Sequence, residues 1–271
     1  MTVPFSTAKS LLFVPGDRAE RIPKALASDA HAVIVDLEDA VSAENKLLAR
    51  QQVSDFLATS PDARILLRVN PVDTEGHDAD LALAEAPGVA GIILPKATTR
   101  ATSDVVQKAQ TTPLWPLVET AEGLRDLAGM STMAEVPRML LGTIDLALDL
   151  GLDVDQPGGL AMMDMARFHL LTVSTAAGLA PPVDGVFTGL DDPGGLADTA
   201  RHARACGFGG MMCIHPRQAA TVNAAFAAST AQIDWARRVL KAADGQPGAF
   251  QFEGQMIDAP VLERAKRLLA S

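Results

Sequence analysis

The chain has 271 residues, enough for one large domain or two small ones with a well-buried core. Its 23 Lys and Arg against 33 Asp and Glu give a net charge of −10, which would repel a phosphate backbone, so nucleic acid is not an expected partner. Hydrophobic residues make up 48% and charged residues 21% of the chain, which excludes a disordered or fibrous protein. No segment approaches the about 18 uninterrupted apolar residues of a membrane span, and no signal-peptide pattern opens the chain, so a cytoplasmic protein without membrane contact is expected.

Eight short apolar segments, each bounded by turn signals, recur along the chain and predict β-strands. They lie at residues 11–16, 32–39, 65–70, 91–96, 113–120, 138–145, 183–188 and 209–216. Their apolar character is continuous rather than alternating, which is typical of parallel strands covered by helices on both faces. Eight strand–helix units predict an α/β fold, a (β/α)8 TIM barrel. A doubly wound open sheet is the alternative, but the first turn, VPGDRAER, lacks the GxGxxG pattern of dinucleotide-binding sheets.

The segments between these strands have helical periodicity and capping residues. Ser42 is expected to cap one helix, and Thr120 is expected to cap another that ends at Gly129. Ser229 and Gln232 have the spacing of a capping box at the start of a later helix.

The barrel is expected to occupy residues 1–245. Residues 246–271 begin with a Gly/Pro break and continue as a short extended piece and a final helix. They are therefore predicted to form a C-terminal extension of the barrel rather than a second domain.

The two cysteines, Cys206 and Cys213, are seven residues apart and form neither a disulfide framework nor a CxxC site. Both are predicted to be reduced residues of the core. No pair of histidines has the spacing of zinc ligands, so zinc is not expected.

Charged and polar residues follow most of the predicted strands, at the edge where parallel barrels place their reactive groups. They are Asp36, Glu38, Arg68, Asn70, Lys96, Glu119, Asp145 and His215. Burying so many charges is costly unless they pair with one another, with a metal or with a substrate. A site is therefore predicted there, although charges at strand ends also close barrels as salt bridges.

Glu119 and Asp145 are the predicted metal ligands. Hard divalent cations such as Mg2+ bind one or two carboxylates and complete their coordination with water and substrate oxygens. The alternative is that each acid only interacts with the positive N-terminus of the helix that follows it.

Arg68 is predicted to bind a substrate carboxylate, because its planar guanidinium donates two parallel hydrogen bonds. The alternative is an ion pair with Asp36 or Glu38. Lys96 is expected to be an internal ion-pair partner, since the carboxylates around it keep it protonated and unsuited to Schiff-base chemistry. His215 is expected to fix a loop rather than act as a base.

A series of motifs extends from Ser10 to about Leu269. They read LLFVPGDRAERIPKAL, VIVDLEDAVSAENKLLAR, RVN, LPK, LVETAEGL, LGTIDLALDLG, GFGGMMCIHPRQ and FEGQMIDAPVLERA. In combination these motifs resemble the citrate lyase beta-subunit-like acyl-CoA lyases of the HpcH/HpaI aldolase/citrate lyase superfamily.

The resemblance implies a barrel that assembles as a homotrimer and binds Mg2+ through the glutamate of the VET motif and the aspartate of the GxxDL motif, here Glu119 and Asp145. It implies that the arginine of RxN, here Arg68, binds the carboxylate or oxo group of the substrate. It also implies that the aspartate of the C-terminal GxMxD motif, here Asp258, is a general acid or base in the active site of a neighbouring subunit. From the residues alone, Asp258 is a helix cap ahead of Pro260.

The expected function is that of a Mg2+-dependent carbon–carbon lyase acting on a 3-hydroxyacyl-CoA thioester such as malyl-CoA or citramalyl-CoA, with acetyl-CoA and a 2-oxo acid as products. Coenzyme A is then part of the substrate. Arg18, Arg21 and Lys24, beside the first strand, are candidates to bind its phosphates, or else they form a solvated helix face.

Three other functions remain open from the sequence. The chain is alternatively the lyase subunit of a citrate lyase complex acting on an acyl carrier protein thioester, a metal-dependent pyruvate aldolase, or a catalytically silent subunit that binds acyl thioesters. The joint presence of Glu119, Asp145, Arg68 and Asp258 argues against the silent subunit, because such a protein needs neither a metal pair nor a base.

Overall fold

The computed structural model describes residues 3–109, 112–246 and 248–270. The described residues do not include residues 1, 2, 110 and 111 of the predicted barrel or residues 247 and 271 of the predicted extension. The chain divides into two compact units, Met1–Ala225 and Phe226–Ser271.

The first unit is built around a closed barrel of eight parallel strands in the order β1 to β8, in which β1 also pairs with β8. The strands are β1 (Ser10–Pro15), β2 (Ala32–Asp36), β3 (Ile65–Arg68), β4 (Val89–Leu94), β5 (Leu114–Val118), β6 (Leu140–Leu141), β7 (Val183–Asp184) and β8 (Gly210–Cys213). Each overlaps one of the eight predicted segments, and the (β/α)8 barrel is confirmed.

Helices surround the barrel and continue into the second unit. They are α1 (Ile22–Leu26), α2 (Lys46–Thr59), α3 (His77–Ala84), α4 (Thr99–Ala109), α5 (Ala121–Arg125), α6 (Leu127–Ser131), α7 (Thr143–Leu150), α8 (Pro157–Ala176), α9 (Pro193–Ala205), α10 (Pro216–Phe226), α11 (Thr230–Ala242) and α12 (Ala259–Ala270). Short 3-10 turns cover Phe5–Thr7, Gly16–Arg21 and Ala43–Asn45. Within the described part of the chain, no helix has both the length and the apolar character required to cross a membrane.

The barrel interior is filled by apolar side chains to which every strand contributes. They include Leu11, Ile34, Leu66, Ile93, Trp115, Leu117, Leu140, Val183 and Met212. Burying each large side chain of this kind stabilises the fold by about 1.5–3 kcal/mol. At the amino ends of the strands, buried Arg138 donates hydrogen bonds to the carbonyls of Phe5, Ala8 and Pro181.

The predicted helix ends are partly confirmed. Thr120 Oγ1 accepts a hydrogen bond from the Gly123 amide at 3.0 Å, which confirms this cap. Ser42 makes no side-chain cap, because a 3-10 turn separates it from α2, so that prediction was wrong. Gly129 does not end its helix but lies within α6, where a Cβ would come within 2.3 Å of Thr99 Oγ1. The glycine is required there for close packing rather than for termination.

The second unit is a helical pair with a β-hairpin. The capping box of Ser229 and Gln232 at the start of α11 is confirmed. Strands β9 (Phe250–Phe252) and β10 (Gln255–Ile257) pair antiparallel, and a small apolar cluster that includes Ile257 and Ala265 joins the hairpin to α11 and α12.

The two cysteines have different environments. Cys213 is fully buried in β8, as predicted, and burial raises the pKa of its thiol to about 12. Cys206 is only half-buried, so the prediction that it belongs to the core was wrong. It forms the C-terminal cap of α9, outside the barrel wall.

Candidate active site

A cavity of about 320 Å3 lies at the carboxyl ends of the strands. Its apolar lining includes Phe13, Leu117, Val186, Met212 and Ile214, and its polar lining includes Asp36, Asp39, Arg68, Glu119, Thr143 and Asp145. The structure therefore brings together three of the predicted site residues, Arg68, Glu119 and Asp145. This is the end of a parallel barrel where side chains from several strands converge.

Strand register positions Glu119 beside Gly142. Val118 of β5 is paired with Leu141 of β6, so the next residue on each strand faces the other at the cavity. A Cβ at Gly142 would lie 2.6 Å from both Cβ and Oε2 of Glu119. The glycine thus provides the space in which the Glu119 carboxyl group sits, a role that the sequence reasoning did not assign to it.

Glu119 is an acid held in an unfavourable environment for its charge. It is only 2% exposed. Burial, together with the negative charge of Glu38, raises its pKa to about 8, and Asp145 adds to this rise. The hydrogen bond that Glu119 Oε1 accepts from the Lys96 amide at 2.8 Å and the charge of Arg68 only partly oppose it.

Asp145 lies in the first turn of α7, half-buried, and also lines the cavity. This position agrees with a favourable interaction with the helix N-terminus. Its charge nevertheless acts on Glu119, and no described side chain forms an ion pair with Asp145. Two carboxyl groups that line the same cavity form a donor set that suits a hard divalent cation.

Arg68 is fixed in the cavity wall by two acids. Its Nε and Nη2 donate to the two oxygens of Asp36 at 2.7 and 2.5 Å, and its Nη1 lies 2.8 Å from Glu38 Oε2. The pairing follows from register, because Asp36 and Arg68 are direct partners of β2 and β3. The guanidinium also stacks over the Phe13 ring at 4.7 Å. The ion pairs expected as an alternative are thus present, and they orient an arginine that still lines the cavity.

Lys96 connects the two acids Glu38 and Glu119. Its Nζ lies 2.7 Å from Glu38 Oε1, while its backbone amide donates to Glu119. The backbone of Lys96 is left-handed, with φ of 48°, a conformation that a non-glycine residue adopts at a cost of about 1–2 kcal/mol. Burial lowers the pKa of Lys96, but the bond to Glu38 outweighs that effect and raises it. The predicted ion-pair role is confirmed.

Lys46 also supports this wall and was missed by the sequence reasoning. Its Nζ donates to the carbonyls of Leu37 and Glu38 at 2.8 and 2.6 Å, which closes the loop after β2. Its position nine residues beyond Leu37, at the start of α2, carried no signal of this contact.

The remaining predicted residues lie elsewhere. Arg18, Arg21 and Lys24 are exposed on the segment that leaves the carboxyl end of β1. Asp258 is in the second unit, where its Oδ1 accepts a hydrogen bond from the Val261 amide at 3.2 Å and caps α12. His215 Nδ1 accepts a hydrogen bond from the Arg217 amide at the start of α10, which agrees with a loop-fixing role.

Comparison with known proteins identifies the family. The family model for HpcH/HpaI aldolase/citrate lyase matches residues 9–216. A citrate lyase subunit beta-like protein of Mycobacterium tuberculosis is 37% identical over 95% of this chain and 93% of its own length. The (3S)-malyl-CoA thioesterase of Cereibacter sphaeroides is 34% identical over 97% and 93%, respectively.

A solved structure matches the fold as well. The crystal structure of CitE from Mycobacterium tuberculosis in complex with magnesium, acetoacetate and coenzyme A has a TM-score of 0.86 and 34% identity, covering 98% of both chains. The match of sequence, fold and motif order shows that this chain belongs to the HpcH/HpaI aldolase/citrate lyase family, a family of lyases.

Proposed function

We propose that the chain is a Mg2+-dependent carbon–carbon lyase that cleaves or forms a 3-hydroxyacyl-CoA thioester such as malyl-CoA or citramalyl-CoA, with acetyl-CoA and a 2-oxo acid on the other side of the reaction. The observation that carries the proposal is the meeting of Glu119, Asp145 and Arg68 in one cavity at the carboxyl ends of the strands. Two relatives support it, one named for malyl-CoA and one solved with magnesium, acetoacetate and coenzyme A.

Glu119 and Asp145 would hold the Mg2+ ion. Both donate hard carboxylate oxygens, and the absence of a Cβ at Gly142 leaves room for Glu119 Oε2. A bound Mg2+ would supply Lewis-acid polarisation of the substrate oxygens. It would also relieve the cost of ionising Glu119, whose pKa burial raises.

Arg68 would bind the carboxylate or oxo group at the same end of the substrate. Asp36 and Glu38 orient its guanidinium before any substrate arrives, so little conformational freedom remains to be lost on binding. Burial lowers the pKa of Arg68, but the charges of these two acids raise it by more, which keeps the group a cation.

The bond changes follow from the substrate chemistry. The hydroxyl group loses its proton to solvent water and becomes the carbonyl of the oxo acid, while the electrons of the broken carbon–carbon bond pass to the α-carbon of the thioester. The resulting acetyl-CoA enolate then takes a proton, and Asp258 is the proposed donor. In the condensation direction Asp258 removes that same proton.

Asp258 is proposed to act in the barrel of a neighbouring subunit of a homotrimer, with residues 1–245 as barrel and residues 246–271 as the extension that reaches across. The preceding hairpin exposes Met256 by 73%. On the barrel unit, α7 and α8 expose Leu148 by 80%, Met165 by 64% and Phe168 by 70%. Exposed large apolar side chains on both units support an interface with another protein chain.

Arg18 and Lys24, with Arg21, are proposed to bind the phosphates of coenzyme A. All three are exposed and follow β1, the strand that contributes Phe13 to the cavity. A chain with net charge −10 needs such local basic groups to attract an anionic substrate.

The test is a panel of substrates offered to the isolated protein with Mg2+ or with a chelator. It contains malyl-CoA, citramalyl-CoA, the corresponding free hydroxy acids and an acyl carrier protein thioester. We expect turnover of a CoA ester that requires Mg2+ and that Glu119→Gln and Asp145→Asn each abolish, whereas the matched surface variant Glu122→Gln retains it. Turnover of the free acids alone, of the carrier-protein ester alone, or of none of these would overturn the proposal.

A further inference from the structure

A second cluster of reactive side chains lies outside the barrel, between α8 and α9. Asp164 of α8 meets His202 of α9 and Cys206, which caps α9, and one ligand atom of each lies within 4.8 Å of the others. Among the described residues that line the active-site cavity, none belongs to this cluster. The proposed lyase chemistry does not use it.

The three side chains converge on a single nitrogen. Asp164 Oδ1 lies 2.8 Å and Cys206 Sγ lies 3.6 Å from the same atom, Nε2 of His202. In a nucleophile–base–acid relay the histidine would use its two nitrogens for its two partners. Convergence on one nitrogen instead resembles ligands arranged around a shared centre.

The spacing of these atoms is close to that of a tetrahedral metal site. With Zn–N and Zn–O distances near 2.0 Å and Zn–S near 2.3 Å, tetrahedral ligand atoms lie about 3.3–3.6 Å apart. The observed 3.6 Å between sulfur and nitrogen already fits, and the 2.8 Å between Asp164 Oδ1 and His202 Nε2 has to lengthen by about half an ångström. Both Asp164 and His202 are partly exposed, at 38% and 51% of their side chains, so this movement is open to them. The His202–Cys206 separation of four residues places both side chains on one helix face.

The charges around the cluster allow a cation. Arg167 Nη1 donates to Asp164 Oδ1 at 2.8 Å and is the cation that faces the cluster from α8. Buried Asp184 binds the same guanidinium through Nε and Nη2, so an acid already balances the charge of Arg167. Asp164 and a Cys206 thiolate then remain to balance an incoming metal ion.

We propose that Asp164, His202 and Cys206 form a binding site for a borderline-soft divalent cation of the Zn2+ class, which links α8 to α9 and keeps one coordination position open to solvent. A thiolate and an imidazole among the ligands favour Zn2+ and disfavour Mg2+, which prefers oxygen donors. The site is therefore chemically separate from the carboxylate pair of the cavity.

Co2+ tests the assignment directly, because a thiolate ligand gives Co2+ a charge-transfer absorption that carboxylate ligands do not. Metal-free protein is titrated with Co2+ in excess Mg2+, which occupies the carboxylate pair. We expect one equivalent of Co2+ to produce the thiolate band and Zn2+ to remove it. Cys206→Ser is expected to abolish the band, and His202→Gln to weaken binding by more than the about 10–100-fold typical of losing a residue that only hydrogen-bonds a ligand. Asp198→Asn, on α9 but outside the cluster, is the matched control and should bind as the wild type does.

A second measurement needs no variant. Cys206 is the accessible one of the two thiols, since Cys213 is fully buried. We expect Zn2+ to slow the reaction of Cys206 with a thiol reagent at least tenfold in the native protein and Mg2+ to leave the rate unchanged. Co2+ binding without a thiolate band, a band that survives in Cys206→Ser, or an unchanged thiol rate with Zn2+ would each overturn the proposal.

Discussion

Replacing Glu119 with Gln should make the metal-free protein more stable in alkaline solution, although the residue is a proposed metal ligand. Its folded-state pKa is raised from the ordinary 4.5 to about 8, first by burial and then by Glu38. Between these pH values the folded protein holds a proton that the unfolded chain has released. The free energy of unfolding therefore falls as pH rises from about 4.5 to about 8, and the stabilisation is fully present only below that window.

The size of the effect follows from the shift. At 1.36 kcal/mol per pKa unit, a rise from 4.5 to about 8 corresponds to at most about 5 kcal/mol lost by about pH 9. A glutamine is neutral at every pH in this range and keeps an oxygen that can accept the hydrogen bond from the Lys96 amide. Glu38 is present in both proteins, and its interaction with Glu119 is part of the shift that the substitution removes.

The assay is urea unfolding followed by far-ultraviolet circular dichroism, with chelator present, at about pH 5 and about pH 9. Glu119→Gln should exceed the wild type by a few kcal/mol at the higher pH and by less than about 1 kcal/mol at the lower one. Saturating Mg2+ should then raise the free energy of unfolding of the wild type at about pH 9 but leave that of the variant unchanged, because an ion stabilises only a folded state that binds it. A variant of equal or lower stability at about pH 9, or a gap that does not change with pH, would refute this reasoning.

Three further variants test the other parts of the site. Arg68→Lys keeps the charge but loses the planar pair of donors, so kcat/KM should fall by an amount equal to about 2–4 kcal/mol in steady-state kinetics. Gly142→Ala places a Cβ 2.6 Å from Glu119 Oε2, so calorimetry should show Mg2+ affinity reduced at least about tenfold. The Asp258→Ala and Glu119→Gln proteins are each expected to be inactive alone. A mixture of the two that has exchanged subunits should regain part of the activity, because some barrels then combine an intact metal site with a donated aspartate.

Matched controls keep these results specific. Arg50→Lys makes the same exchange in an ion pair with Asp80 outside the cavity and should leave kcat/KM unchanged. Gly158→Ala adds a Cβ with no heavy atom within 4 Å and should leave Mg2+ affinity unchanged. If Arg68→Lys leaves the kinetics unchanged, Arg68 is only a structural ion-pair partner. If Gly142→Ala leaves Mg2+ affinity unchanged, Gly142 does not contribute to the metal site. If mixed assemblies form but stay inactive, Asp258 acts within its own chain or only caps its helix.

The barrel could be predicted from sequence because its strands are buried on both faces, which leaves continuous apolar segments such as ILLR of β3. The exact lengths of the strands could not be predicted in this way. Strands β6 and β7 contain only two residues each, and each is followed at once by a glycine, Gly142 or Gly185. Local sequence does not show where neighbouring strands stop pairing.

The candidate site was predictable as far as it depends on position along a strand. Asp36, Arg68 and Glu119 follow apolar segments, so their place at the barrel mouth follows from strand direction. The contribution of Gly142 depends on the register between two strands, and that of Lys46 on the path of a loop, so neither had a local signal.

The external cluster illustrates the same limit. Asp164 and His202 are 38 residues apart and meet only because the fold brings α8 and α9 together at this point. The four-residue spacing of His202 and Cys206 is visible in the sequence, but a zinc site was expected only from a pair of histidines.

The central claim is that the site breaks a carbon–carbon bond, and the products of a single CoA ester test it most directly. Malyl-CoA or citramalyl-CoA is incubated with the protein and Mg2+, and the products are separated and quantified. Carbon–carbon cleavage predicts one acetyl-CoA and one 2-oxo acid for each ester consumed, with none formed in the presence of chelator. Free coenzyme A with an intact hydroxy acid, which signals thioester hydrolysis alone, or cleavage that continues after exhaustive chelation, would contradict the account.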